Sequence, residues 1–417
     1  MCHRGAYASA VRTVVTNGLV LDTATMSFRG EAAVVIEDGV IVDVLDRYAG
    51  TADAEVDARG CFVLPGLIDA HVHLRIASMD FRAMRSWTEV EYGIHMATLA
   101  RRTVERGFTT VRDLGGDVTG LVRAIAGGVC AGPRIVRAGR MLSQTGGHGD
   151  VEGGDLDVPA CGSSMRSSAF GIVADGVDAV RKAARHNLRD GSDFLKLHAS
   201  GGVASPTDPI EATQYTPDEL RAAVTEADHR GTYVAAHAYT PAAIQQSVTN
   251  GVHTIEHGNL LDETTARLMI DAGAVLVPTL VTYHAMKERG AEFGLPKVNR
   301  DKNATILDAG LEALEVAHRL GVPMGLGTDL LGETQPMQSR ELAIRREVEP
   351  ADAILRSMWI TNASLCRLEG RIGLIAPGAF GDVVVSRVDP LADLVGFADV
   401  DASLSHVIQA GRVIVER

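Results

Sequence analysis

Residues 71 and 73 are both histidine, in a His71-Val72-His73 step that closes an apolar run. At strand periodicity side chains two apart share a face. The spacing therefore sets two imidazoles side by side, either as a hydrogen-bonded pair or as the start of a metal chelate. Lys196 stands in Phe194-Leu195-Lys196-Leu197-His198 and shares a face with Phe194 and His198. A lysine inside an apolar strand is costly unless paired or neutral. The chemistry open to it is a salt bridge to an inward carboxylate, a Schiff base, or a carbamate formed with CO2 whose two oxygens can bridge two metal ions. His237 closes YVAAHA, His257 closes HTIEH and Asp329 closes GLGTD. Each alone has a structural use, as an interior hydrogen bond or a helix cap. Together, four histidines, a lysine and an aspartate at the ends of apolar segments offer the donors of a catalytic zinc site that keeps a position for water.

Eight short β-rich runs supply the positions: 62–73, 109–115, 133–140, 194–199, 233–238, 253–258, 275–280 and 323–329. Helix signals separate them. In TPDEL (216–220) Thr216 and Glu219 have capping-box spacing with Pro217 at the first helical position. Alternating strand and helix argues for a parallel sheet, and eight repeats argue for an α/β fold of the (β/α)8 TIM-barrel type, in which strand ends gather around one mouth. The runner-up is a doubly wound open sheet. Both termini read instead as hairpins, with turn signals at Asp38-Gly39 and near Gly411. The expected organisation is residues 1–64 and 376–417 joined in a small β-sandwich domain around a barrel spanning 65–375.

The PGLIDAHVH run, the strand-end lysine, the two later histidines and the GTD aspartate resemble the amidohydrolase superfamily, in its members with a binuclear metal centre. RIGLIAPGAFGDVVV resembles the point where such chains return to their small β domain. QTGGHGD (144–150), FLKLHASGG (194–202) and AHAYT (236–240) are similar to segments of the Xaa-Pro dipeptidase, arginine carboxypeptidase and ochratoxinase-like group. The resemblance implies two divalent ions, zinc first among them. His71, His73 and Asp329 would hold one ion, His237 and His257 the other, and Lys196, carboxylated by CO2, would bridge them. It implies attack of a bridging hydroxide on an amide carbonyl, with Asp329 as general base and then general acid. Tyr239 and His148 match positions that contact the substrate carbonyl. His198 would orient a ligand or serve as a core histidine.

The 417 residues carry 40 basic and 53 acidic side chains, a formal charge of −13. That balance argues against nucleic acid as a partner, because phosphate binding draws on clustered Lys and Arg. Five cysteines without CxxC spacing fit a reducing compartment and read as buried small hydrophobes. No apolar run approaches the length of a spanning helix, and the first residues, with only brief apolar runs, do not read as a signal peptide. The expectation is a cytoplasmic homo-oligomer acting on a small molecule. Long connections at 146–168 and 283–302 read as lids, and Arg75, Arg82 and Arg85 as candidate carboxylate readers. The function expected is hydrolysis of an amide in a dipeptide or N-acyl amino acid. The alternative is a hydrolase of carbamates, ureas or aryl amides, xenobiotics included. Lys196 counts against a single-metal deaminase, the full ligand set against a non-catalytic scaffold, and the missing Gly-rich phosphate loop against a phosphate-binding transferase.

Overall fold

The computed structural model describes residues 11–150 and 169–417. Arg12–Asp22 (β1) pairs antiparallel with Ser27–Glu37 (β2), and β2 with Val40–Leu45 (β3). Asp38 and Gly39 join the last two at φ 48° and 79°, the left-handed turn that suits the twist of paired strands. Ala54–Asp57 (β4) and Phe62–Pro65 (β5) run parallel to β1. The chain then enters Leu67–Val72 (β6), Phe108–Asp113 (β7), Arg134–Arg137 (β8), Met141–Ser143 (β9), Gly171–Val173 (β10), Leu195–His198 (β11), Val234–Ala238 (β12), Thr254–His257 (β13) and Val275–Val277 (β14). It ends with Val383–Ser386 (β15), Leu404–Gln409 (β16) and Arg412–Glu416 (β17), the last two joined through Ala410 and Gly411, both at positive φ. β15 pairs with β5, so both chain ends share one sheet. Its eight strands form a single hydrogen-bonded network, so the two layers expected of a sandwich are not separate sheets.

The middle of the chain is a mixed α/β arrangement with parallel strands in two sheets, β6-β7-β8 and β10-β9-β11-β12-β13-β14. This departs from one closed ladder at three places. The first candidate run is split at Gly66, where an added Cβ would lie 2.0 Å from Thr109 Oγ1, so β5 belongs to the terminal sheet and β6 to the parallel one. The third run yields only β8, which pairs with β7; β9, just beyond it, pairs with β11 and with β10, and neither β9 nor β10 is a strand the sequence reading anticipated. The eighth, Pro323 to Asp329, is not a regular strand. Gly327 packs so tightly on β6 that a Cβ would come 2.7 Å from that of His71. Hydrogen bonds still tie the segment to both neighbours, Leu276 N to Pro323 O at 2.9 Å and Ala70 N to Leu326 O at 2.8 Å. Asn362 reinforces the join: its Nδ2 donates to Ile68 O and Leu326 O, and its Oδ1 accepts from Leu326 N. A buried carboxamide thus stands in for ladder bonds that would otherwise go unmade.

Amphipathic helices cover these strands. In Val177–Arg189 the buried residues Val180, Ala183, Ala184, Asn187 and Leu188 fall three and four apart, one stripe of a 3.6-residue period. The helix Pro217–His229 starts on the expected capping box. The anticipated lid after β14 is different: Leu280–Arg289 and Lys297–Leu320 are helices, leaving only 290–296 between them. YHAMKER is a helix-forming run, and it is Gly290, Gly294 and Pro296 that interrupt it. The other expected lid lies mainly within 151–168, outside the described residues. Cys366 is buried, but Cys61 and Cys130 are only partly so, so the expectation of buried thiols holds for one of these three. Cys2 and Cys161 are not described. Among the described residues no helix is long and apolar enough to cross a membrane.

Candidate metal centre

β6 and the residue that follows it deliver His71 and His73 to the same site, and hydrogen bonds on their far nitrogens orient both rings. His71 Nδ1 lies 2.8 Å from Glu256 Oε2, and His73 Nδ1 lies 3.2 Å from Gly115 O. Carboxylate and carbonyl oxygens only accept, so each Nδ1 carries the proton and each Nε2 keeps its lone pair. Those Nε2 atoms are 3.5 and 3.3 Å from Asp329 Oδ1. His237 is turned the other way. Its Nε2 lies 3.1 Å from Gly201 O, so Nε2 carries the proton and Nδ1 keeps the lone pair. His257 Nδ1 meets Thr279 Oγ1 at 2.7 Å. Ring centroids of His71 and His257 are 5.0 Å apart, and of His237 and His257 4.6 Å.

Two backbone irregularities make this convergence possible. In a regular strand adjacent side chains point to opposite faces. His257 and Asp329 adopt φ of 77° and 51°, which breaks that alternation. Glu256 and His257 consequently both reach His71, and Thr328 and Asp329 both reach β6, Thr328 Oγ1 donating to Asp69 Oδ2 at 2.6 Å. Left-handed conformations at such residues cost about 1–3 kcal/mol each. Asp69 offsets part of that by also accepting from His71 N and Gln338 Nε2.

Burial sets the charge states. It pushes the imidazoles of His71, His198, His237 and His257 well below their usual range, and His73 down to about 4; neutral imidazole is the ligand form. Lys196, 1% exposed, is lowered by burial to about 8, and Asp329 is raised by burial to about 7. Among the described residues Lys196 makes no ion pair, so the salt bridge considered for it is not formed. His71 Nε2 is buried without a hydrogen-bond partner, and ligand atoms of His71, His257 and Asp329 lie within 4.8 Å of one another. An orphaned lone pair beside a carboxylate and a second imidazole is a donor set that fits a divalent cation. This trio crosses the two ligand groups that the sequence resemblance implied.

The cluster forms the floor of a cavity of about 800 Å³. Lys196, His148, His198, His237 and Tyr239 all line it. The His148 ring stacks on His237 at 4.4 Å, its Nδ1 3.3 Å from Asp208 Oδ2. His198 Nδ1 lies 3.3 Å from Leu142 O. The Tyr239 phenolic oxygen accepts a hydrogen bond from the Tyr283 hydroxyl at 3.0 Å, so its own proton remains available to another acceptor. Burial raises the Tyr239 phenol further, keeping it a donor.

Arg75 is not a carboxylate reader. It is buried, donates twice to Glu89, and lies over the Tyr92 ring. The side chain of Arg82 is outside the described residues. Arg85 is exposed and lines the cavity. Sequence reading missed Glu256, Arg112, Asp69, Asp208 and Tyr283. A charged residue at an inward position of an apolar strand was the available signal for the first three; Asp208 and Tyr283 carried none.

A model of the amidohydrolase family matches residues 62–414, and the chain belongs to that family, whose members are generally metal-dependent. Within it the chain falls in the dipeptidase and ochratoxinase-like group. It is 29% identical to ochratoxinase of Aspergillus niger over 96% of this chain and 86% of the relative. A prolidase crystallised with N-methylphosphonate-L-proline superposes with a TM-score of 0.93 at 44% identity, over 98% of this chain and all (100%) of the other. A Xaa-Pro dipeptidase with bound methionine gives 0.85 at 29%, over 96% and 99%. The protein is a hydrolase acting on C–N bonds.

Proposed function

We propose that this chain is a binuclear metal-dependent amidohydrolase that cleaves the amide of a dipeptide or N-acyl amino acid, its parallel strands and the Pro323–Asp329 segment together forming one (β/α)8 barrel. The observation that carries the reading is the convergence of His71, His73, His237, His257, Lys196 and Asp329 at the floor of one cavity. The similarity to a prolidase that binds a phosphonate analogue of an acylated proline supports it. His71, His73 and Asp329 would hold one ion, His237 and His257 the other, and carboxylated Lys196 both. Its lowered pKa favours the free amine that attacks CO2. When bound, such ions supply an activated water and an electrophilic pull on the carbonyl.

The chain's own groups do the rest. Asp329 takes the proton of the attacking water and passes it to the departing amine, so one carboxylate serves both half-steps. Tyr239 donates its free hydroxyl proton to the oxygen that becomes negative, and His148 borders the same space. Replacing Tyr239 by phenylalanine is expected to lower kcat by about 10²–10³-fold, the usual loss of one oxyanion donor, with metal content unchanged. An unaltered kcat removes Tyr239 from the mechanism.

An apolar wall of Ile76, Met79, Phe81, Met84, Phe293 and Leu295 favours the second reading, a hydrolase of neutral carbamates or aryl amides. An amine-release screen of zinc-loaded protein separates the two. Xaa-Pro and other dipeptides and N-acyl amino acids are compared with matched carbamates and amides lacking a carboxylate. Turnover confined to carboxylate-bearing compounds is expected; turnover of the neutral set alone overturns the peptidase-like reading and leaves the metal site standing.

A further inference from the structure

The segment from Gly202 to Asp208 has no regular secondary structure, yet it forms one wall of the cavity and makes the contacts that seat His148. Asp208 Oδ2 lies 3.3 Å from His148 Nδ1 and accepts from Gly202 N at 3.0 Å. Gly202 itself packs on the ring, where a Cβ would fall 2.2 Å from His148 Cε1. Gln214 ties the two together, its Oε1 accepting from His148 N and its Nε2 donating to Asp208 Oδ2. The backbone of this wall must hold its shape for His148 to stay stacked on His237.

One side chain gathers that backbone. Lys302, on the helix Lys297–Leu320, donates from Nζ to Gly202 O at 3.1 Å, Ser205 O at 2.8 Å and Asp208 O at 2.5 Å. An ammonium has three donors, and here all three are spent on carbonyls of one turn. Three carbonyl oxygens pointing at a common centre repel one another unless a cation sits between them. From the same helix Asn299 Nδ2 donates to Val203 O, and Asn303 Nδ2 to Tyr283 O, the residue whose hydroxyl donates to Tyr239. Positions 299, 302 and 303 share a helix face by their spacing of three and four.

We propose that Lys302 is a positioning residue for catalysis: by drawing together the carbonyls of Gly202, Ser205 and Asp208, it sets the place of His148 above the metal cluster. The inference rests on the amidohydrolase reading for its effect on rate, but not for its effect on the turn. The test is a double-mutant cycle with Lys302→Met and His148→Ala in the full chain, using whichever substrate wild type turns over, beside hydrogen exchange of the 201–214 amides. Lys302→Met is expected to lower kcat about tenfold in the wild-type background and less than twofold in the His148→Ala background, with metal content unchanged. Exchange at 201–214 should rise at least tenfold while β11 and β12 stay protected. Equal losses in both backgrounds would mean that Lys302 does not act through His148 and would overturn the proposal, as would unchanged exchange. If Lys302→Met fails to fold, Lys302→Gln retains two donors and should show the same pattern at reduced size. If no amide or carbamate is turned over, the functional reading fails by itself, and the exchange result still decides whether Lys302 organises the turn.

Discussion

Lys196→Ala is expected to lose metal and activity together, with kcat/KM falling about 10³-fold or more, on the scale of the several kcal/mol that metal electrophiles contribute. The side chain is fully enclosed and makes no ion pair among the described residues, so such a loss would trace to the bridging ligand proposed for it. Short carboxylic acids such as acetate or propionate should restore part of both properties, because they place two oxygens in the vacated space. Metal uptake by apoprotein in CO2-free buffer should be slow until bicarbonate is added. It should also proceed faster at pH 9 than at pH 6: with the Lys196 pKa lowered by burial to about 8, the nucleophilic amine predominates only above that value. Metal analysis and turnover read the outcome together. Full retention of both in the alanine variant would sink the bridging assignment.

The second large effect concerns Glu256, which no ligand motif announces. Its Oε2 accepts from His71 Nδ1, and its Oε1 from Arg112 at 2.7 Å and Thr254 at 2.7 Å. Arg112 and Glu256 are both 0% exposed, so Glu256→Ala leaves a guanidinium enclosed without its anion. Breaking a buried pair in this way costs about 3–5 kcal/mol. The same change frees the His71 ring, and loss of such an orienting partner lowers metal affinity about 10–100-fold. The two effects separate in the double variant Arg112→Met, Glu256→Met. Stability should recover in large part, since the uncompensated charge is gone, whereas metal affinity should not, since His71 still lacks its acceptor. Denaturant unfolding and metal titration measure them independently. A single variant as stable as wild type, or a double variant with wild-type metal affinity, contradicts the role assigned here.

Much of the site could be read along the chain because its donors stand at local positions. His71 and His73 are two apart where β6 ends, Lys196 interrupts a short apolar run, and His237, His257 and Asp329 stand at or near the ends of others; these positions are visible in a window of a few residues. Hairpin turns at Asp38-Gly39 and Ala410-Gly411, and the capping box at Thr216, are equally local, set by φ preferences and side-chain reach. The segment 283–302 departs from the expected lid for a related reason: its length between strands suggests a loop, but YHAMKER is helix-forming and continues the helix Leu280–Arg289.

The candidate donors, the α/β class with its parallel strands, and the family were thus legible in the sequence itself, since backbone alternation and side-chain chemistry act over neighbours. Only the tertiary structure decided how those donors are held. Glu256 meets His71 across 185 residues and Arg112 meets Glu256 across 144. His148 depends on Asp208 and a glycine at 202, and Arg75 is taken by Glu89. Such pairings depend on which buried groups must satisfy one another once water is excluded, a condition that exists only when distant strands share an interior. The left-handed turns at His257 and Asp329 belong with them: both residue types tolerate that region better than most, but nothing local requires it here, and the surrounding contacts sustain the strain.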